Sequence, residues 1–555
     1  MIHRRGTGKT TPLKKLHLGN SHFVIQDKFQ EFFEPKPDRL KCEYFWSSLL
    51  VFVWLFFFLL RSLTFSAPMD RDEGEYAYGA HCLLQGLLPY ESFYSMKWPG
   101  IFLCYSLIFS VFGENGEAVR VGLAILQGLN SLLIFWLGKM WISTRVGFFS
   151  ALFFLLLSFL PCFDGFHANA EFFVLFPSLL GILILNRGIL RNSRSLVVLA
   201  GFFFGSALMI KQHAFGYLLF SLLYASCSNN SRGGHKRLTI LLSFMIGVSV
   251  PFLATSLLYW IRGTFDLFLF WTVHYARCYV SLLDWDQGWM ILKERLAEIK
   301  IQAGWCFCFI GFSMLSWKRN RKIPLWIWIL LGCTVLTLFP GFYFRQHYFL
   351  MCLPPLALLA AVGCETIFIL LENSISGFRK IILGTLFAAL FGWAIFQGAR
   401  WEKGADGDRF WGAFRDVAQF IKERALPGDS IAYLGSEPQI FFYSGLPNVT
   451  HFLYAYPLME PQPWALAMQN EMIRTVENKK PRFLLFHFSQ PALGVTEFSE
   501  KKVFFWFNEY QKRYKEILRV EFSNTSSILF RTGKSLEKNQ QPESDWLRVY
   551  ERISL

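Results

Sequence analysis

The chain has 555 residues, 53% of them hydrophobic and 17% charged, with 62 phenylalanines and 19 tryptophans. That is too apolar for a soluble protein of this length and places it among membrane proteins. The formal net charge of +15 raises nucleic acid as a partner, but the basic residues are scattered over the N-terminal tail and short loops, which reads as charge that sets topology.

The first 45 residues carry Arg4, Arg5, Lys9, Lys14, Lys15, Lys28, Lys36, Arg39 and Lys41, with no cleavable-signal pattern before the first apolar run. Residues 1–44 are expected to be a cytoplasmic basic tail. Within it, Gly6 to Thr11 (GTGKTT) resembles the end of a phosphate-binding loop but lacks the upstream glycine and a preceding strand, so it reads as tail. Apolar runs of roughly 18 residues or more, each long enough to cross a bilayer, then recur from the stretch around Trp46 to the stretch ending near Phe396. After Trp401 they stop. The expected layout is a transmembrane domain over 45–401, a soluble domain over 402–535 and a polar tail over 536–555.

Basic clusters at Arg187/Arg191/Arg194, Arg232/Lys236/Arg237, Lys318/Arg319/Arg321/Lys322 and Arg379/Lys380 separate apolar segments and belong on the cytoplasmic side. The segments Met69 to Lys97, Asp164 to Glu171, Lys211 to His213, Gly263 to Lys300 and Tyr343 to His347 are then external. The count closes only if the short run from Gly100 to Gly113 is re-entrant or juxtamembrane, which leaves about eleven spans. Most of the eleven cysteines lie in or beside apolar helices as small hydrophobes, and the soluble domain has none.

The first external loop opens with Asp70, Asp72, Glu73 and Glu75, where the first apolar run leaves the bilayer. Carboxylates beside lipid are costly unless something uses them. Glycosyl transfer with inversion would, because a carboxylate can take the proton of an acceptor hydroxyl or amine while a phosphate leaves the sugar carbon. The departing phosphate needs a cation, and Lys97 at the far end of the loop can supply it. By spacing alone, the four carboxylates also suit a solvated cluster, and Lys97 suits a side chain snorkelling beside a helix-starting proline.

The string Asp72-Glu73-Gly74-Glu75-Tyr76-Ala77, followed by Leu84-Gln85-Gly86, Pro89-Tyr90 and Lys97-Trp98-Pro99-Gly100, resembles the first external loop of bacterial glycosyltransferases of the protein mannosyltransferase and lipid A aminoarabinose transferase type. The resemblance implies the GT-C fold, a polytopic α-helical membrane protein with, here, a C-terminal soluble α/β domain. Carried over, Asp72 matches the catalytic aspartate and Lys97 the lysine at the lipid phosphate, while Glu73 and Tyr76 are expected in the pocket. Trp98 departs from the proline usual in that family. Weaker matches follow in order: Ala168-Asn169-Ala170-Glu171, Lys211-Gln212, and Arg345-Gln346-His347-Tyr348 before Leu353-Pro354-Pro355. They nominate Glu171 and Lys211 for the pocket and Arg345, His347 and Tyr348 for the donor phosphate. The aromatic residues Trp285 and Trp289 in the connection from Gly263 to Lys300 suit an interfacial amphipathic helix.

Past the membrane domain, Phe414, Val417, Phe420 and Ile421 recur at helical spacing, and Pro427-Gly428-Asp429 turns the chain into a strand at Ser430 to Leu434. A helix over Ala465 to Val476 precedes a strand at Arg482 to His487, and a helix over Phe504 to Tyr514 precedes a strand at Ser526 to Phe530. Alternation predicts a small α/β domain with a partly parallel sheet. Its turn Gly435-Ser436-Glu437-Pro438 lies where such sheets bind ligands, without the glycine spacing of a nucleotide site.

The expectation is a glycosyltransferase of the cell (inner) membrane that moves a sugar from a polyprenyl-phosphate donor to an envelope lipid, glycan or protein on the external face. No cofactor is demanded and no metal ligands are assigned, although external carboxylates could hold a divalent cation. A transporter or flippase of lipid-linked sugars is the rival, and it would place charges in mid-span rather than at outer helix ends.

Overall fold

The apolar runs fold as helices because a backbone surrounded by lipid must satisfy its own hydrogen bonds. The computed structural model describes residues 37–227, 234–318, 325–372, 406–522, 528–537 and 545–553, with short helical pieces between 384 and 396. The tail up to residue 36 with its GTGKTT string, the basic residues Arg232, Arg319, Arg321, Lys322, Arg379 and Lys380, and most of the last apolar run lie outside the described residues.

In chain order the membrane domain comprises α1 (Pro37–Ser62), α2 (Arg71–Leu84), α3 (Gly100–Phe112), α4 (Gly116–Trp141), α5 (Thr144–Leu157), α6 (Ala170–Leu190), α7 (Arg194–Ile210), α8 (Phe215–Cys227) and α9 (Gly234–Ile261). Then come α10 (Phe265–Leu269), a π-helical turn (Phe270–Tyr275), α11 (Ala276–Val280), α12 (Trp285–Lys318), α13 (Leu325–Val335) and α14 (Leu353–Glu372). Among the described residues, five segments are long and apolar enough to cross a membrane: Tyr44–Ser62, Gly116–Trp141, Ala170–Leu190, Lys236–Ile261 and Gln346–Ile369. At 13 residues α3 is short for a span; it packs instead against α2. Helices α7 and α9 meet at small residues, where a Cβ on Gly201 would strike the Phe244 carbonyl and one on Gly247 the Val198 carbonyl. Such residues let helices approach where lipid supplies no hydrophobic drive between them.

The segment from Met69 to Lys97 is not an irregular loop. Asp70 caps α2 by accepting a hydrogen bond from the Glu73 amide at 2.8 Å, and Glu73 returns the favour to the Asp70 amide at 3.1 Å. This reciprocal cap fixes where the helix begins, and so which residues its first turn presents.

The soluble domain starts with α15 (Asp406–Lys422), whose Phe414, Val417 and Ile421 are fully buried. Its sheet has the order β1-β2-β5-β3-β4, from β1 (Ile431–Leu434), β2 (Phe483–Phe488), β3 (Tyr514–Phe522), β4 (Ile528–Arg531) and β5 (Asp545–Arg552). Strands β1 and β2 are parallel and the other pairs antiparallel. The helices α16 (Gln439–Ser444), α17 (Ala465–Lys479) and α18 (Lys502–Tyr510) complete the domain.

Two expectations are corrected here. Residues 536–555 are not simply a polar tail, because β5 lies in the interior of the sheet between β2 and β3. Leu547 and Val549 are buried, while Glu551 is paired with Arg482 at 2.7 Å, so the charges that suggested a tail belong to the strand's other contacts. The helix expected through Tyr514 ends at Tyr510, and β3 begins at Tyr514.

The soluble domain sits directly on the segment from Met69 to Lys97. The Tyr94 amide donates to the His451 carbonyl at 2.8 Å, giving a one-residue bridge between Tyr94 and Phe452. The Asn448 amide donates to the Tyr78 hydroxyl at 3.2 Å.

Candidate active site

Where the membrane helices meet the soluble domain lies a cavity of about 440 Å³, within the range of small-molecule sites. The first turn of α2 contributes Arg71, Asp72 and Glu75. Lys97 enters from the other end of the same segment, its carbonyl accepting from the Tyr90 hydroxyl at 2.7 Å and its amide donating to Ser95 Oγ at 3.0 Å. With the backbone so held, Nζ lies 3.5 Å from each Asp72 oxygen and 3.3 Å from the Tyr76 hydroxyl. The two groups nominated by the sequence therefore meet in one pocket.

Lys211 follows the last turn of α7, and its Nζ is 2.6 Å from Glu171 at the start of α6. Tyr348 lies over the same ammonium, 4.9 Å from ring centroid to Nζ. Arg345 donates to the Tyr279 hydroxyl at 3.2 Å and stacks near Tyr343. Lys211, Arg345, His347 and Tyr348 all line the cavity with Asp72 and Lys97. Tyr76 lies beneath Lys97, and Glu171 lies behind Lys211.

Burial pushes the Asp72 carboxyl up, but the charges of Lys97, His347, Arg345 and Lys211 outweigh it and hold the group well below the usual carboxylate range. The N-terminal end of α2 adds to the same effect. Burial likewise lowers Lys97, and Asp72 with Glu75 more than reverses it, so the ammonium stays charged. For Lys211 burial wins over Glu171 and the group is lowered.

Glu73 is the exception among the nominated residues. It is fully buried on the other side of α2, where it forms an ion pair with Arg120 and accepts from the Ala168 amide at 2.6 Å. Arg120 in turn donates to the carbonyls of Phe166 at 2.9 Å and Pro68 at 3.0 Å. Successive residues of a helix point about 100° apart, so the neighbour of a pocket residue need not face the pocket. Glu73 holds the scaffold.

Beside the cavity, Asp164 accepts from Asn169 at 2.8 Å, and its carboxylate is 2.5 Å from His167 and 3.4 Å from His347. Asp70, Asp164 and His167 can bring one ligand atom each within 4.8 Å of one another. Two carboxylates and an imidazole form a donor set that suits a divalent cation. Burial lowers His167, but Asp164 and Asp70 outweigh it and lift the imidazole to about 9.

Several lining residues were not assigned to the pocket from the sequence, although Glu75 belongs to the acidic cluster noted there. Arg71, Glu75, Tyr279, Tyr454 and Tyr456 all face the cavity. Glu75, one turn after Asp72, could have been found from helical spacing; the two tyrosines of the soluble domain could not.

A helical membrane domain, a carboxylate in the first turn of α2 and an α/β domain seated against it describe the GT-C architecture. The chain is similar to the crystal structure of ArnT from Cupriavidus metallidurans bound to undecaprenyl phosphate, with a TM-score of 0.57 at 12% identity over 91% of this chain and 98% of that one. The apo form of ArnT gives 0.56 at 12% identity, covering 91% and 97%. Oligosaccharyltransferase AglB from Archaeoglobus fulgidus, in complex with an inhibitory peptide and a dolichol-phosphate, gives 0.48 at 12% identity, covering 88% and 74%. The ArnT likeness establishes the fold. More particularly, residues 97–260 match the family described as dolichyl-phosphate-mannose-protein mannosyltransferase, a segment that begins at Lys97 and includes Glu171 and Lys211. No curated protein sequence matches the chain. The resemblance read from the first external loop is borne out in both fold and family domain.

Proposed function

We propose that the chain is a membrane glycosyltransferase that uses a polyprenyl-phosphate-linked sugar, with Asp72 as general base and Lys97 as the contact to the donor phosphate. The observation that carries this reading is the approach of Lys97 Nζ to within 3.5 Å of Asp72 in a pocket shared with Lys211, Arg345 and His347. The acceptor hydroxyl or amine attacks the anomeric carbon, its proton passes to Asp72, and the bond from that carbon to the phosphate oxygen breaks. The leaving phosphate carries negative charge, which Lys97 and Arg345 neutralise. As that charge draws the cations away from Asp72, the carboxylate becomes a stronger base at the moment it must accept the proton.

The lipid part of the donor also has a place. An apolar cavity of about 280 Å³ between α7 and α9, lined by Leu208, Met209, Met245 and Phe252, adjoins the pocket at Trp98 and Gln212. Exposed apolar residues such as Ile246 and Leu253 on α9 suit contact with the bilayer. The reaction would occur at the non-cytoplasmic face of the inner membrane, with an envelope lipid, glycan or protein as acceptor. Gathering of the charged groups at helix ends supports chemistry at the rim over passage through the spans.

Purified protein in lipid nanodiscs, incubated with a panel of polyprenyl-phosphate sugars and envelope acceptors, tests the reading. Product from wild type and none from Asp72→Asn is expected. Equal product from both would remove Asp72 as the base.

A further inference from the structure

We infer that the soluble domain positions the catalytic carboxylate, with Glu437 as the positioning residue that fixes the first turn of α2. The inference rests on Asp72 being the base. Three residues around Asp72 in that turn are each met by the soluble domain. Arg71, just before it, is gripped by Glu437 through Nη2 to Oε1 at 2.5 Å and Nε to Oε2 at 3.3 Å. The same guanidinium donates to the Tyr456 hydroxyl and to the Pro491 carbonyl. Glu437 is fully buried, and Gln439 donates to its second oxygen at 3.3 Å. Its carboxyl group is thus fixed in place, held on the soluble side.

Gly74, two residues after Asp72, runs against the backbone of the turn that follows Glu437. A Cβ there would lie 2.5 Å from the Gln439 nitrogen and 2.7 Å from its Cα. Backbone cannot swing aside as a side chain can, so the approach demands glycine. Glu75, three residues after Asp72, accepts from the Tyr454 hydroxyl at 2.7 Å, while its other oxygen accepts from Ser95 of the membrane domain. The helix turn that bears the base is therefore clamped from the soluble domain on both sides of Asp72, and Lys97 faces it from the membrane domain.

A general base must sit within hydrogen-bond reach of the proton it takes, and a displacement of about 1 Å can cost about a hundredfold in rate. A packing contact alone would be felt in stability and not in turnover. Full-length Glu437→Gln, Glu437→Asp, Gly74→Ala and Tyr454→Phe, made beside Asp72→Asn, separate the two. Expected are turnover numbers for Glu437→Gln and Gly74→Ala lower by about 10-fold to 100-fold, with the KM for donor changed by less than about threefold. Glu437→Asp, which keeps the charge, retains more turnover than Glu437→Gln. Hydrogen exchange needs no substrate, and deuterium uptake across residues 70–78 should rise in Glu437→Gln and Gly74→Ala relative to wild type.

Wild-type turnover or unchanged exchange in both variants overturns the inference while leaving the function standing. Full turnover in Asp72→Asn overturns the function and this inference with it. Should Glu437→Gln fail to fold, Tyr454→Phe decides, since it removes one hydroxyl: a severalfold loss of turnover together with raised deuterium uptake across residues 70–78 supports the clamp, and wild-type uptake removes it.

Discussion

Two carboxylates that are neighbours in sequence, Asp72 and Glu73, meet opposite fates. Glu73 is sealed against Arg120, with side chains 0% and 3% exposed, and every contact it makes is to scaffold. Asp72 faces Lys97 across 3.5 Å, with side chains 22% and 17% exposed at the wall of a cavity. A closed pair of this kind holds a helix in place, whereas a looser and partly open pair leaves room for a third charged group. Helix geometry thus sorts an acidic cluster beside a membrane into a member locked in the scaffold and a member open to a cavity.

The contrast can be broken in four ways. Asp72→Asn should lower turnover by about 10²-fold to 10⁴-fold in a transfer assay while leaving the melting temperature near that of wild type. Arg120→Met leaves Glu73 buried without its partner and should cost about 3–5 kcal/mol of stability, seen as a lower thermal midpoint, with donor KM little changed in the protein that folds. Lys97→Ala should raise the donor concentration needed for half-maximal rate by about tenfold or more; an unchanged donor dependence would make it a snorkelling anchor. The smallest effect concerns pH. His167, lifted from 6.5 to about 9 by Asp164 and Asp70, contributes stability that is fully present below pH 6.5 and is lost as pH rises through 9. Thermal midpoints measured between pH 6 and 9.5 should fall along that window, and His167→Gln should flatten the decline.

Much of this site was legible because its parts are local. Asp72 and Lys97 belong to one segment between apolar runs, and Lys211, Arg345 and His347 each stand at a turn that charge bias assigns to the same side as that segment. The sequence could not separate Glu73 from Asp72 without knowing that Asp70 caps the helix and so sets its rotation. Tyr454 and Glu437 were out of reach for another reason. Their partners Glu75 and Arg71 lie 379 and 366 residues away, and nothing in a local pattern encodes a pairing at that range. Strand β5 was hidden because the alternation of Leu547, Arg548 and Val549 is cut short: Tyr550 is buried where a polar residue would follow, and Glu551 stands where the next apolar one would.

The place of β5 has a consequence for biogenesis. A strand flanked by β2 and β3 must be present before either neighbour can complete its ladder, so the sheet cannot close until residue 552 has left the ribosome. Helix α2, made nearly five hundred residues earlier, waits through that whole interval for the domain that grips it. An unfinished chain inserted in the bilayer would therefore carry its acidic turn ungripped, and competence would arrive late and all at once.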